Sequence, residues 1–135
     1  MAETADPEIE ALIAAFYAAF DNRGGRKPAA EPLRALFAEA ATVTRVTDDE
    51  AQTWTADEFI APRIALLNGG GLADFHEWEV ESRTRVETNI ASRRSLYEKQ
   101  GMLDGADYRG AGRKFIQLHR AAGAWRISSV LWEDD

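Results

Sequence analysis

Residues Gly112 to Asp135 read GRKFIQLHRAAGAWRISSVLWEDD. Two apolar-rich runs, Arg113 to Arg120 and Trp125 to Trp132, flank Ala121-Ala122-Gly123-Ala124. That pattern predicts a β-hairpin closed by a short, glycine-containing turn. Alternation away from the turn places Ile116, Leu118, Trp125, Ile127 and Leu131 on one face, the expected core layer. Phe115, Gln117, His119, Arg126, Val130 and Trp132 share the other face. A surface this aromatic is expected to be covered by another subunit. The stretch therefore predicts a homodimer through Phe115, His119, Val130 and Trp132.

Immediately upstream, Met102 to Gly112 is polar and glycine-bearing and reads as a loop. Before it, Phe75 to Glu87 and Ile90 to Gln100 alternate with period two and predict two long strands joined at Thr88-Asn89. With that turn, Glu87 pairs with Ile90 and the remaining pairs follow. His76, Trp78, Val80, Ser82, Thr84 and Val86 then share a face with Ala91, Arg93, Ser95, Tyr97 and Lys99. This is the better pocket side; Glu77, Glu79, Glu81, Arg83 and Arg85 lie opposite. A bulge would swap the parity beyond it.

The first half of the chain is helical in pattern. Asp6 is an N-cap candidate, Pro7 suits the first helical position, and Ile9, Leu12, Ile13, Phe16 and Phe20 form one stripe, predicting a helix over 7–21. Pro32, Leu33, Leu36 and Phe37 predict a short second helix ending near Ala38. Ala41 to Val46 is rich in β-branched residues and reads as a strand, followed by an acidic loop at Asp48-Asp49-Glu50 and a very short strand at Gln52 to Trp54. Thr55-Ala56-Asp57-Glu58 matches a capping box. The third helix follows, with Pro62 expected to kink or restart it and Asn68 to Gly71 to end it.

The chain has 135 residues, enough for one domain with a single core. It contains no cysteine, which excludes structural disulfides and thiolate chemistry and fits a reducing cytoplasm. The formal charge of −7 argues against a nucleic-acid surface. No apolar run approaches the ~18 residues of a membrane span, and the acidic start MAETADPEIE is unlike a signal peptide. The glycine run after the third helix follows a helix instead of opening one, so it offers no phosphate cradle. The two histidines have no metal-ligand spacing. Neither a cofactor nor a metal is expected.

Three helices followed by a meander of long strands predict an α+β layout in which a curved antiparallel sheet wraps helices. Leu36-Phe37-Ala38-Glu39-Ala40-Ala41-Thr42-Val43 and Gly123-Ala124-Trp125-Arg126-Ile127-Ser128 resemble the nuclear transport factor 2-like superfamily, also known as the SnoaL-like or ketosteroid-isomerase-like fold. The resemblance spans nearly the whole chain. It implies a cone-shaped α+β barrel with helices closing over a cavity, commonly as a homodimer built sheet to sheet. It implies no single activity, since the fold hosts isomerases, dehydratases, cyclases, epoxide hydrolases and binders.

The catalytic patterns of that superfamily match poorly. Where the isomerase pattern needs a carboxylate base, this chain has Arg45; where it needs a helix tyrosine, it has Phe16, with Tyr17 one residue away. No acid occurs between Arg113 and Arg120 to serve in an oxyanion hole. A dehydratase-type pair of histidines would have to be His76 and His119, which the register puts on different hairpins. Glu77, Glu79 and Arg83 form a charged ladder with a salt-bridge reading on the polar face.

The sequence thus predicts an apolar pocket for a small organic ligand, walled by Tyr17, Trp54, Trp78 and Tyr97 and oriented by Ser95 and His76. His76 is the one candidate acid–base for a metal-free lyase or isomerase, its other reading being a structural strand residue. The rival class is a non-catalytic dimerisation module with a filled cavity.

Overall fold

A computed structural model describes residues 6–135. In chain order it holds α1 (Pro7–Ala18), a 3₁₀ turn (Arg23–Gly25), α2 (Ala30–Arg34), β1 (Phe37–Val46), β2 (Ala51–Thr55), α3 (Ala56–Asn68), β3 (Leu72–Glu87), β4 (Ile90–Leu103), β5 (Ala106–Ala121) and β6 (Ala124–Asp134). The strands form one open, curved sheet in the order β2-β1-β6-β5-β4-β3, antiparallel except for the parallel pair β1–β6.

The helix starts follow from their caps. The Asp6 carboxylate accepts from the amides of Glu8 at 2.9 Å and Ile9 at 3.2 Å, and Pro7 sits where its missing N–H costs nothing. At α3 the capping box is complete: Thr55 Oγ1 accepts from the Glu58 amide while the Glu58 carboxylate accepts from the Thr55 amide. Pro62 lies inside α3, which neither ends nor restarts there. The α1 stripe, Ile9, Leu12, Ile13 and Phe16, is buried on the concave side of the sheet, as is Tyr17. Helix α1 stops at Ala18, earlier than its apolar pattern suggests, and α2 is a single short turn because Phe37 already belongs to β1.

The turns decide the registers. Thr88-Asn89 joins β3 to β4 with Glu87 opposite Ile90, as the alternation predicts. Asp104 (φ 50°) and Gly105 (φ 84°) form a second two-residue turn, so the segment expected to be a loop is instead the β4–β5 hairpin. Asp-Gly is a strong signal for a turn with both central residues at positive φ. Ala122 (φ 53°) and Gly123 (φ 78°) close the final hairpin in the same way.

Two bulges correct the face assignments. In β3 the register shifts between Glu79 and Glu81, leaving Val80 as the extra residue. Beyond it Glu79 lies opposite Tyr97 and Glu77 opposite Lys99, so both glutamates face the concave side, while His76 and Trp78 turn to the other. In β6 Ser128 is the extra residue: Leu118 pairs with Ile127 but Gln117 pairs with Ser129. Val130 and Trp132, expected on the outer face, are therefore buried at 2% and 9% exposure, and Leu131 turns outward beside Phe115. No helix among the described residues is long and apolar enough to cross a membrane.

Candidate functional site

The concave side of the sheet, α1 and α3 enclose a cavity of about 450 Å³, within the usual range for small-molecule sites. Its walls are apolar: Phe16 from α1 and Phe20 from the turn after it, Phe59, Leu66 and Leu67 from α3, Trp54 from β2, Leu72 and Phe75 from β3, and Val130 and Trp132 from β6. Trp54 stacks on Trp132 at a centroid distance of 6.0 Å, and Phe59 meets Trp132 edge-on at 5.6 Å. Such pairs fix the wall's shape as well as its polarity.

Polar groups line the remainder of the cavity. Glu77 from β3 and Lys114 from β5 form an ion pair in which the lysine side chain is 8% and the glutamate 13% exposed. The Lys114 ammonium also lies 3.6 Å from the centroid of the Tyr97 ring, a close cation–π contact. Burial pushes the Lys114 pKa down, with Glu77 opposing the shift.

Tyr97, Gly112 and Asp134 are register partners on three neighbouring strands. A Cβ on Gly112 would collide with the Tyr97 hydroxyl and with the Glu133 carbonyl. Glycine at this position leaves the Tyr97 hydroxyl free to donate to Asp134 across β5. Lys99 donates to the same carboxylate oxygen at 3.3 Å. Burial, and then the bond to Asp134, hold the Tyr97 phenol far above its ordinary range, so it stays protonated. Burial works against the Asp134 carboxylate, but Tyr97 and Lys99 outweigh it and hold its pKa below the ordinary value.

No family model matches the chain, and no curated protein matches it in sequence. Solved structures do match in fold. An NTF2-like superfamily protein from Salmonella enterica superposes with a TM-score of 0.72 at 14% identity, covering 93% of this chain and 87% of that one. The fold is NTF2-like. Hexachlorocyclohexane dehydrochlorinase LinA-type3 from Novosphingobium barchaimii matches with a TM-score of 0.72 at 17% identity, covering 95% and 84% of the two chains. A protein of unknown function with a cystatin-like fold from Nostoc punctiforme matches at 0.69 and 18%, covering 95% and 89%.

Within this NTF2-like frame the residues singled out from sequence divide between two places. Trp54 and Tyr97 line the large cavity. Tyr17 from the concave side, and His76 and Trp78 from the other face of the edge strand β3, border a second pocket of about 370 Å³ beside α1. His76 stacks on Trp78 at 4.5 Å, and its Nδ1 is buried with no hydrogen-bond partner. Ser95 is wholly buried. It donates to Glu79 at 2.5 Å, which leaves the Tyr17 hydroxyl as donor in the 2.6 Å bond between Tyr17 and Ser95.

Glu79 continues into Arg93, 2% exposed, which also binds Glu10 of α1 and the Thr84 hydroxyl. Burial works against the Arg93 charge, but its hydrogen bonds to Glu79 and Glu10 more than offset this and raise its pKa. The network locks α1 to the sheet. Glu77 borders both pockets.

Sequence reasoning missed Glu77, Lys114, Asp134 and Arg63. Lys114 was visible in principle, because it shares parity with Ile116 and Leu118. Glu77 was hidden by the bulge at Val80. Among the described residues, no group of three or more acids or histidines converges as a metal site.

Proposed function

We propose that this chain is a small-molecule-binding domain whose large cavity takes an apolar organic substrate and catalyses metal-free proton transfer of the lyase or isomerase type. The observation that carries this reading is a buried carboxylate–ammonium pair, Glu77–Lys114, facing an aromatic-walled cavity. Glu77 accepts a proton from a carbon next to a carbonyl, and the C–H electron pair moves into the carbonyl. The Lys114 ammonium, relieved of its partner's negative charge, stabilises the oxygen on which charge develops. Return of the proton at another carbon completes an isomerisation; departure of a group from the next carbon completes an elimination. Glu77 thus takes the role that the sequence suggests for His76, which faces the other side of β3. The cysteine-free composition fits a cytoplasmic protein.

The test uses 2-tetralone, a two-ring ketone with acidic C–H bonds, incubated in D₂O and followed by NMR. Deuterium uptake should be faster with protein than in buffer, and Glu77→Gln should lower the catalysed rate by about 100-fold or more, while His76→Ala leaves it unchanged. Uptake at the buffer rate, or full activity in Glu77→Gln, would sink the proposal.

A second reading concerns the outer sheet face, where Phe115 and Leu131 are register partners at 50% and 43% exposure. We infer that this pair, with His119 at its margin, meets a second copy of the chain. Light scattering should show a dimer that Phe115→Glu converts to monomer; a monomeric wild type would end that reading.

A further inference from the structure

The large cavity carries more positive than negative charge in a chain whose net charge is −7. Four cations line it, Arg45, Arg63, Lys99 and Lys114, against two carboxylates, Glu77 and Asp134, a surplus of two. Glu77 is matched by Lys114, and Asp134 by Lys99 with Arg45 more distant at 3.9 Å. Arg63 is left over. Its guanidinium lies 4.0 Å from the Phe59 ring centroid and 5.4 Å from those of Trp54 and Trp132. It donates to the Phe59 carbonyl at 3.1 Å and makes no ion pair among the described residues.

A guanidinium offers five N–H donors in a planar fork that matches a carboxylate. One hydrogen bond and three aromatic faces leave much of that capacity unused. Burial, and then the like charge of Arg45, push Arg63 down to about 10, so the group is held at a cost that an anion between the two arginines would relieve. Arg45 is 43% exposed, which marks this as the open end of the cavity.

We propose that the cavity selects an anionic ligand, an aromatic or alicyclic carboxylate, whose carboxylate takes the free edge of Arg63 with Arg45 in support while its ring fills the apolar interior. The inference rests on the cavity being a ligand site. It adds the ligand's charge and its orientation: carboxylate at the open end, reacting carbon toward Glu77. Lys99 and Lys114 take no part, because their carboxylate partners already neutralise them.

Calorimetric titration of the full chain with 2-naphthoate and with its neutral counterpart 2-naphthamide separates the two ideas. The carboxylate should bind at least tenfold tighter to wild type, as expected for a charge-assisted, two-point contact in a partly desolvated site. Arg63→Met keeps the stack on Phe59 but removes the charge, and should abolish the preference while amide affinity persists. Arg63→Lys should restore part of it. Equal affinities in wild type, or a preference that survives Arg63→Met, would overturn the anion assignment and leave the cavity reading standing. Binding of neither compound would overturn both. If Arg63→Met does not fold, the ratio in wild type alone decides.

Discussion

Removing one member of the Glu77–Lys114 pair should be far more damaging than removing both. The two side chains are 13% and 8% exposed, so Lys114→Met leaves a carboxylate, and Glu77→Leu an ammonium, in an environment that disfavours an uncompensated charge. We expect each single change to cost about 3 kcal/mol, the lower end of the range for breaking a buried pair, because the cavity lets water reach the survivor. With an unfolding entropy of ~2.1 cal/mol/K per residue over 135 residues, that corresponds to a fall in Tm of roughly 10 °C. The double variant Glu77→Leu/Lys114→Met leaves neither charge and should return to within about 1 kcal/mol of wild type. Urea unfolding of the four proteins, closed as a double-mutant cycle, measures the coupling directly. Single variants that each cost less than about 1 kcal/mol, or a double variant whose cost equals their sum, would refute the account of the buried pair.

Three further outcomes follow from other contacts. Asn22 donates to the carbonyls of Leu67 and Leu72 and accepts from the Phe75 amide, tying the end of α3 to the start of β3; Asn22→Ala should cost about 2–3 kcal/mol in urea unfolding by leaving buried backbone groups unpaired, and a loss below about 1 would contradict that. Gly112→Ala should cost about 2 kcal/mol, since the added methyl meets the Tyr97 hydroxyl and the Glu133 carbonyl; an unchanged Tm would show that the three-strand crossing is loose. Asp21 is clasped by Arg23, with Arg26 nearby, and Arg23 holds its carboxyl down to about 2. A depressed folded-state pKa gives stability that is present above the unfolded value of about 4 and lost as pH falls toward 2. The wild-type advantage over Asp21→Asn should therefore shrink across that window, and a constant difference would argue against the clasp.

Where a local rule acted alone, the sequence could be read directly. Asp6, Thr55 and Glu58 announced their helix starts, and Thr88-Asn89 set the β3–β4 register from its own end. The helix after Pro32 was misjudged because Leu36 and Phe37 are apolar at helical spacing yet are drawn toward the sheet, where Phe37 pairs with Ile127. The site was harder to read than the fold. Its charged groups come from β3, β4, β5, β6, β1 and α3, and only the register of the finished sheet brings Tyr97, Gly112 and Asp134 into line. Arg63 lies among three aromatic rings from three separate elements, a neighbourhood that no spacing along one helix encodes.

The two bulges bear on how distant relatives are to be aligned. Between Glu79 and Glu81, and between Ile127 and Ser129, this chain spends one residue that its partner strand does not match. A homologue with flat strands at these points would be one residue shorter at each. At identities of 14–18%, an ungapped comparison across position 80 would lay its pocket-facing column over His76 and Trp78 and count Glu77 as exterior. A gap at Val80 and another at Ser128 put Glu77, Val130 and Trp132 back among the interior columns, so any profile built to find functional relatives of this chain depends on where those two gaps are placed.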